Sequence, residues 1–229
     1  MGIRAVIFDL DGCLVDSETM SLDILAEEMT AEGVPSTPDD LRRRFLGVSI
    51  QSIVAHVAEA ADRAVLPDFV QRFEDRLLGR YDSELRLIPG ATDLLDALDA
   101  RGIVTAIATG GSIRRLRATL RVSGLADRFG NRAFSADEVR RGKPAPDLFL
   151  LAAERLKVEP ASCAVVEDSP HGIAGARAAG MHAVGFTGGS HLDGMREDHA
   201  RRLRDAGAEI VLPDLSLMLN ALLTLPETS

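Results

Sequence analysis

The alternation of apolar and polar positions changes texture along the chain. Ala5 to Phe8 is a short apolar run of β-branched and aromatic residues, the pattern of a buried strand. Residues 17–33 then place Leu22, Leu25 and Met29 at helical spacing, and Gly33 stops the run. Thr37 reads as an N-cap, with Pro38 at the first helical position and Asp39 and Asp40 in the first turn, for a short helix to about Phe45. Gly47 breaks it. Ser49 caps a third helix carrying Ile53, Val54 and Val57 on one face, and Pro67 opens a fourth with Phe69, Phe73 and Leu77 in line. From Ser17 to about Leu85 the pattern is helical throughout.

At Pro89-Gly90 strands begin to alternate with helices. A helix with Ala91, Leu94, Leu95 and Leu98 ends at Gly102, and residues 103–108 read as a buried strand. A helix to Gly124, a short strand near 133–135, helix 146–156, strand 163–167, helix 171–179 and strand 183–186 follow. A strand at 209–211 and a helix at 215–223 close the chain. Such alternation predicts βαβ units, hence an α/β fold with a doubly wound parallel sheet. The helical block cuts the first strand off from the others. The expected organisation is a core of residues 1–16 and 86–229 with an all-helical cap, residues 17–85, inserted into it.

In open sheets of this kind ligands bind at the carboxyl ends of the strands. The first strand ends in Asp9 and Asp11, followed by Gly12. Residues two apart on a strand share a side, and two like charges so placed are costly unless a cation sits between them or one binds a proton. That suits Mg²⁺, which takes oxygen ligands; an Asp-rich turn closed by Gly12 is the plainer reading. The second strand ends in Thr109-Gly110-Gly111-Ser112, a hydroxyl and backbone N–H groups suited to a phosphoryl oxygen or, equally, an ordinary helix cap. Gly142-Lys143-Pro144 stiffens a loop around a lysine in a chain with only two lysines, Lys143 and Lys157, although a surface lysine would look the same. Strand 163–167 ends in Glu167-Asp168, which would complete a set of oxygen ligands with the first pair.

Composition narrows the partners. The formal charge of −9 and an aromatic content of 4% without Trp argue against nucleic acid, which requires basic patches and stacking surfaces. A 46% hydrophobic content is ample for a packed core, yet no apolar stretch approaches a membrane span. Cys13 and Cys163 are expected to be reduced thiols in a cytoplasmic protein, with Cys13 a small packing residue. The expected state is a monomer or weak dimer.

In their order along the chain, these motifs resemble those of the haloacid dehalogenase (HAD) superfamily. Gly142-Lys-Pro-x-Pro-Asp-x-Phe149 and Glu167-Asp-Ser-x-x-Gly172, with Ala179-Gly180-Met181, are similar to the β-phosphoglucomutase-like branch, which has a Rossmann-like core and a helical cap. The resemblance implies a Mg²⁺-dependent phosphatase. It makes Asp9 the nucleophile that becomes an aspartyl phosphate and Asp11 the general acid and base. Thr109 and Lys143 would hold the phosphoryl group, helped by Gly110 and Gly111. Asp9, Asp168 and the Asp11 carbonyl would bind the metal, with Glu167 a further ligand or an orienter.

Asp11 and the metal set disfavour dehalogenation, and a helical block without lysine excludes a Schiff-base phosphonate hydrolase. Aligned on Asp9 and on Gly47-Val48-Ser49, the mutases' cap histidine and arginine correspond to Ser21 and Ile50, so hydrolysis is favoured over phosphoryl return. Arg44-Phe-Leu-Gly47-Val48 and Asp82-Ser-Glu-Leu-x-x-Ile88-x-Gly90 look most like the 6-phosphogluconate phosphatases. The expected partner is a small phosphorylated metabolite, read by Arg44 and Ser49, with Arg43, Arg76 and Arg80 as further candidates. A β-phosphoglucomutase-type mutase and a silent phosphosugar sensor are the alternatives.

Overall fold

The computed structural model describes residues 2–45, 48 and 50–226. Its centre is β1 (Ala5–Phe8), buried along its whole length and flanked in parallel by β2 (Val104–Thr109) and β4 (Cys163–Glu167). With β3 (Ala133–Ser135), β5 (His182–Phe186) and β6 (Ile210–Leu212) the sheet runs β3-β2-β1-β4-β5-β6, all pairs parallel. The chain order reverses around β1, the switch point where an open sheet leaves a crevice for ligand. Side chains alternate across β1: Val6 and Phe8 join one apolar cluster, Ala5 and Ile7 the other, so both faces of the sheet are covered.

Helices α1 (Glu18–Ala31), α2 (Pro38–Phe45), α3 (Ile50–Ala60) and α4 (Phe69–Glu84) fill the interval between β1 and α5 (Ala91–Asp99). Among the described residues from 18 to 84 no strand interrupts them. The stripe Phe69, Phe73, Leu77 and Tyr81 is buried, and Thr37 Oγ1 accepts from the Asp40 N–H as an N-cap does. The segments entering and leaving the block lie side by side: Asp16 N–H donates to Arg86 O at 2.9 Å and Ile88 N–H to Leu14 O at 2.9 Å.

The remaining helices are α6 (Ile113–Ser123), α7 (Ala126–Phe129), α8 (Asp147–Leu156), α9 (Pro170–Ala178), α10 (Arg196–Asp205) and α11 (Met218–Leu223). The sequence pattern missed α7 and α10. In α10 only His199 and Leu203 are buried, and with seven of its ten residues charged the helix carries almost no apolar period. The final predicted helix begins as a 3₁₀ turn, Leu215–Leu217. No described helix is long and apolar enough to cross a membrane.

Helix α1 and the residue that ends it bury two carboxylates, Glu28 and Glu32, against α4. Arg72 reaches Glu28 and Glu32 at 2.9 Å each, Arg76 reaches Glu28 at 2.8 Å and Arg63 reaches Glu32 at 3.0 Å. Burial raises the Glu32 carboxyl, but hydrogen bonds from Arg72 and Arg63 outweigh it and hold the group below its ordinary 4.5. A carboxyl lowered by folding adds stability above its unfolded value and loses it as pH falls through the folded one. Glu32→Gln is therefore expected to lower Tm at pH 7 by roughly 3–8 °C. Thermal unfolding across pH should show the gap to wild type closing below pH 4.5; a gap of constant size would refute this account.

Candidate active site

The carboxyl ends of β1, β2 and β4 bring the predicted motifs together. Asp9 follows β1 directly and its N–H donates to Val166 O at 2.9 Å. Its Oδ1 accepts from Lys143 Nζ at 2.7 Å, and the same ammonium donates to Glu167 Oε1 at 2.6 Å. The other oxygen, Glu167 Oε2, accepts from Ser169 N–H at 2.8 Å. Both oxygens of Glu167 are thus engaged, and the side chain orients Lys143 instead of facing a cation as a free ligand. Gly172 is needed for this placement: a Cβ there would lie 1.8 Å from Glu167 Oε1.

Burial opposes the charge on Lys143, yet Asp9 and Glu167 outweigh it and hold the ammonium above its ordinary value. Burial pushes the Asp9 carboxyl well up, with Glu167 and Asp168 adding to the push and Lys143 opposing it. Asp9 and Glu167 therefore share one ammonium, with the Asp168 carboxylate beside them against His191, a crowding of acids that a divalent cation would relieve. Ligand atoms of Asp9, Asp168 and Cys13 lie within 4.8 Å of one another, close enough to bind one ion. The two carboxylates fit a hard cation. Burial, reinforced by Asp168 and Asp9, pushes the Cys13 thiol well up, so it stays a neutral packing group as expected from sequence. Both cysteines are buried and free.

Asp168 is held by residues the sequence did not single out. His191 Nε2 lies 3.0 Å from Asp168 Oδ2, and His199 Nε2 lies 2.6 Å from the Asp168 carbonyl oxygen. Gly12, at φ +79°, passes so close that a Cβ would sit 2.2 Å from Asp168 Oδ2 and 2.9 Å from His191 Cε1. The loop after β5 delivers His191. The rule that strand ends line the site, extended to β5, would have pointed to it.

Asp11 departs from the sequence picture. The strand stops at Phe8, and the turn that follows gives the Asp11 carboxylate partners of its own, apart from the Asp9–Asp168 group. Its Oδ1 accepts from Ser17 Oγ at 2.5 Å and from Arg115 Nη2 at 2.8 Å; Thr109 Oγ1 stands 3.5 Å from Oδ2. Among the described residues, Asp9 and Asp168 are the two of the four expected acids whose carboxylates come to one place; for Asp11 the resemblance implied a carbonyl ligand only. Thr109 Oγ1 also accepts from Gly111 N–H at 3.0 Å, and a Cβ on Gly110 would meet nothing within 4 Å. Arg44 is exposed on α2, 3.3 Å from His56 Nε2. Ser49 and Gly47 lie outside the described residues. Arg43, Arg76 and Arg80 are paired with Asp40, with Glu27 and Glu28, and with Glu84.

A match to the haloacid dehalogenase-like hydrolase family runs over residues 3–180. This chain is a haloacid dehalogenase-like hydrolase. Its relatives include a phosphorylated carbohydrates phosphatase of Thermotoga maritima, 32% identical over 80% of this chain and 84% of the relative. The β-phosphoglucomutase of Bacillus subtilis is 33% identical over 84% and 87%, and the 6-phosphogluconate phosphatase of Escherichia coli 29% over 82% and 85%. Among solved structures, a HAD family hydrolase from Deinococcus radiodurans with bound phosphate and sodium aligns over 98% of this chain and 99% of its own. Its TM-score is 0.73 and its identity 33%.

Proposed function

We propose that this hydrolase cleaves phosphomonoesters of small phosphorylated metabolites, sugar phosphates or phosphorylated sugar acids, through an aspartyl phosphate on Asp9. The observation that carries the reading is Lys143 bridging Asp9 and Glu167 beside Asp168. An Asp9 oxygen attacks phosphorus while the ester bond breaks, and Asp11 gives its proton to the departing alkoxide. Asp11 then takes a proton from water, which attacks the acyl phosphate, frees inorganic phosphate and regenerates Asp9. Lys143, the Thr109 hydroxyl and the Gly110 N–H receive the phosphoryl oxygens, and the Gly111 N–H orients that hydroxyl by donating to it. Asp9, Asp168 and the Asp11 carbonyl would hold a divalent cation, Mg²⁺ in this reading, which offsets the charge of those oxygens.

We place the division between core and cap at residues 16 and 85, with helices α1–α4 closing over the strand ends to keep bulk water out. Ser21 and Ile50 occupy the positions where a mutase resemblance calls for histidine and arginine, so water is the acceptor. Among sugar-acid phosphates, 6-phosphogluconate is the first substrate to try.

Phosphate release from p-nitrophenyl phosphate and a sugar-phosphate panel tests the reading. Excess chelator is expected to cut the rate at least 100-fold and Mg²⁺ to restore it, with Asp168→Ala raising the Mg²⁺ requirement; full activity in chelator would refute the cation. The relative named as a mutase, at 33% identity, makes the second reading concrete. A phosphorus NMR time course with β-glucose 1-phosphate and a bisphosphate primer is expected to show phosphate release without isomer exchange. Exchange faster than release would assign the enzyme to the mutases.

A further inference from the structure

Adjacent arginines open α6, and they have different fates. Arg114 is 52% exposed and pairs with Asp75 on the surface of α4. The Arg115 side chain is 12% exposed and turned inward. Ser112 fixes the first turn by accepting from Arg115 N–H at 3.0 Å. From there the guanidinium meets three separate parts of the chain. Nη2 donates to Asp11 Oδ1 at 2.8 Å and to Glu18 Oε1, in the first turn of α1, at 3.3 Å. Nε donates to the hydroxyl of Tyr81, near the end of α4, at 3.2 Å. Burial opposes the charge, but Asp11 foremost, then Tyr81 and Glu18, hold the guanidinium well above its ordinary value.

We propose that Arg115 is the positioning residue of Asp11, a joint that sets the direction of that carboxylate according to where α1 and α4 lie. This rests on the reading of Asp11 as the proton donor and acceptor. A planar guanidinium can hold several acceptors at once in fixed directions, which an ammonium cannot. Tyr81 and Glu18 engage Nε and Nη2, so Arg115 has little rotational freedom, and Asp11 is braced between Arg115 and Ser17. Movement of the helical block that carries Glu18 and Tyr81 would shift Arg115 and with it the oxygen that must reach the leaving group. Arg115 acts through Asp11 and need not touch substrate.

The leaving group provides the test. A nitrophenolate departs without a proton, whereas a sugar alkoxide requires one, so mispositioning Asp11 slows phosphoryl transfer from alkyl esters selectively. Arg115→Met should lower kcat/KM at least roughly 50-fold for a hexose 6-phosphate and less than about 5-fold for p-nitrophenyl phosphate. Arg115→Lys, which keeps a cation near Asp11 and is the milder change for folding, should lie between wild type and Met with the same preference. Equal losses on both esters, or no loss, would reduce Arg115 to a structural tie and overturn the proposal. A wild-type protein inactive on both esters would instead remove the phosphatase reading. The pairing then has its own readout in crystals of the two variants, where an Asp11 carboxylate that keeps its position without Arg115 overturns the proposal.

Discussion

Asp9→Asn is expected to abolish phosphate release, by roughly 10⁴-fold or more, in a protein that stays folded. An amide oxygen is too poor a nucleophile to displace an alkoxide from phosphorus, so no covalent intermediate forms. The structure also says why the fold should survive. Burial, opposed by Lys143 and reinforced by Glu167 and Asp168, disfavours the Asp9 charge on balance, and the neutral amide removes that cost. Lys143 keeps Glu167 at 2.6 Å as a partner. Thermal unfolding should therefore show Tm unchanged or raised while turnover is lost. Activity within tenfold of wild type, only about 1.4 kcal/mol of barrier, would rule out the covalent route.

Lys143→Met should damage activity and stability together. The variant leaves Asp9 and Glu167 facing one another beside Asp168 with their shared ammonium gone, and the phosphoryl group without its cationic ligand. Removing one partner of a buried ion pair costs roughly 3–5 kcal/mol because the other charge stays buried and uncompensated. A fall in kcat/KM of about 10³-fold is expected from losing a positioned charge on the transferring group. Denaturant unfolding with and without Mg²⁺ separates the two effects: the stability loss should be largest in chelator and shrink when the cation is supplied. Stability within about 1 kcal/mol of wild type in chelator would show that Lys143 does not balance Asp9 and Glu167.

The contrast between these two residues and Arg115 shows where sequence reasoning stops. Lys143 was legible because lysine is rare in this chain and two prolines, Pro144 and Pro146, follow it closely. Arg115 is one of many arginines, and Arg114 beside it has the same local context. Only the helical rotation between them, and the arrival of Asp11, Glu18 and Tyr81 from three other segments, separates a surface ion pair from a buried joint. His191 and α10 were hidden for a related reason. Histidine counts as polar in a periodicity, so a helix resting on His199 and Leu203 gives almost no apolar signal, although His199 supports the Asp168 carbonyl.

What the sequence determined by itself was the alternation of strands and helices, the helical interruption after the first strand, and the residues at the strand ends. Those features are local: apolar runs, caps, turn residues and charges adjacent in the chain carry them, and the parallel sheet follows from the crossovers they impose. The tertiary structure alone decided how the acids divide. It turned Asp9 and Asp168 toward one another, gave both oxygens of Glu167 to Lys143 and Ser169, and left the Asp11 carboxylate to Ser17 and Arg115. Four carboxylates look alike in a sequence. Their roles separate only when each is given its partners, because the direction of a charged group is set by hydrogen bonds from segments far away in the chain.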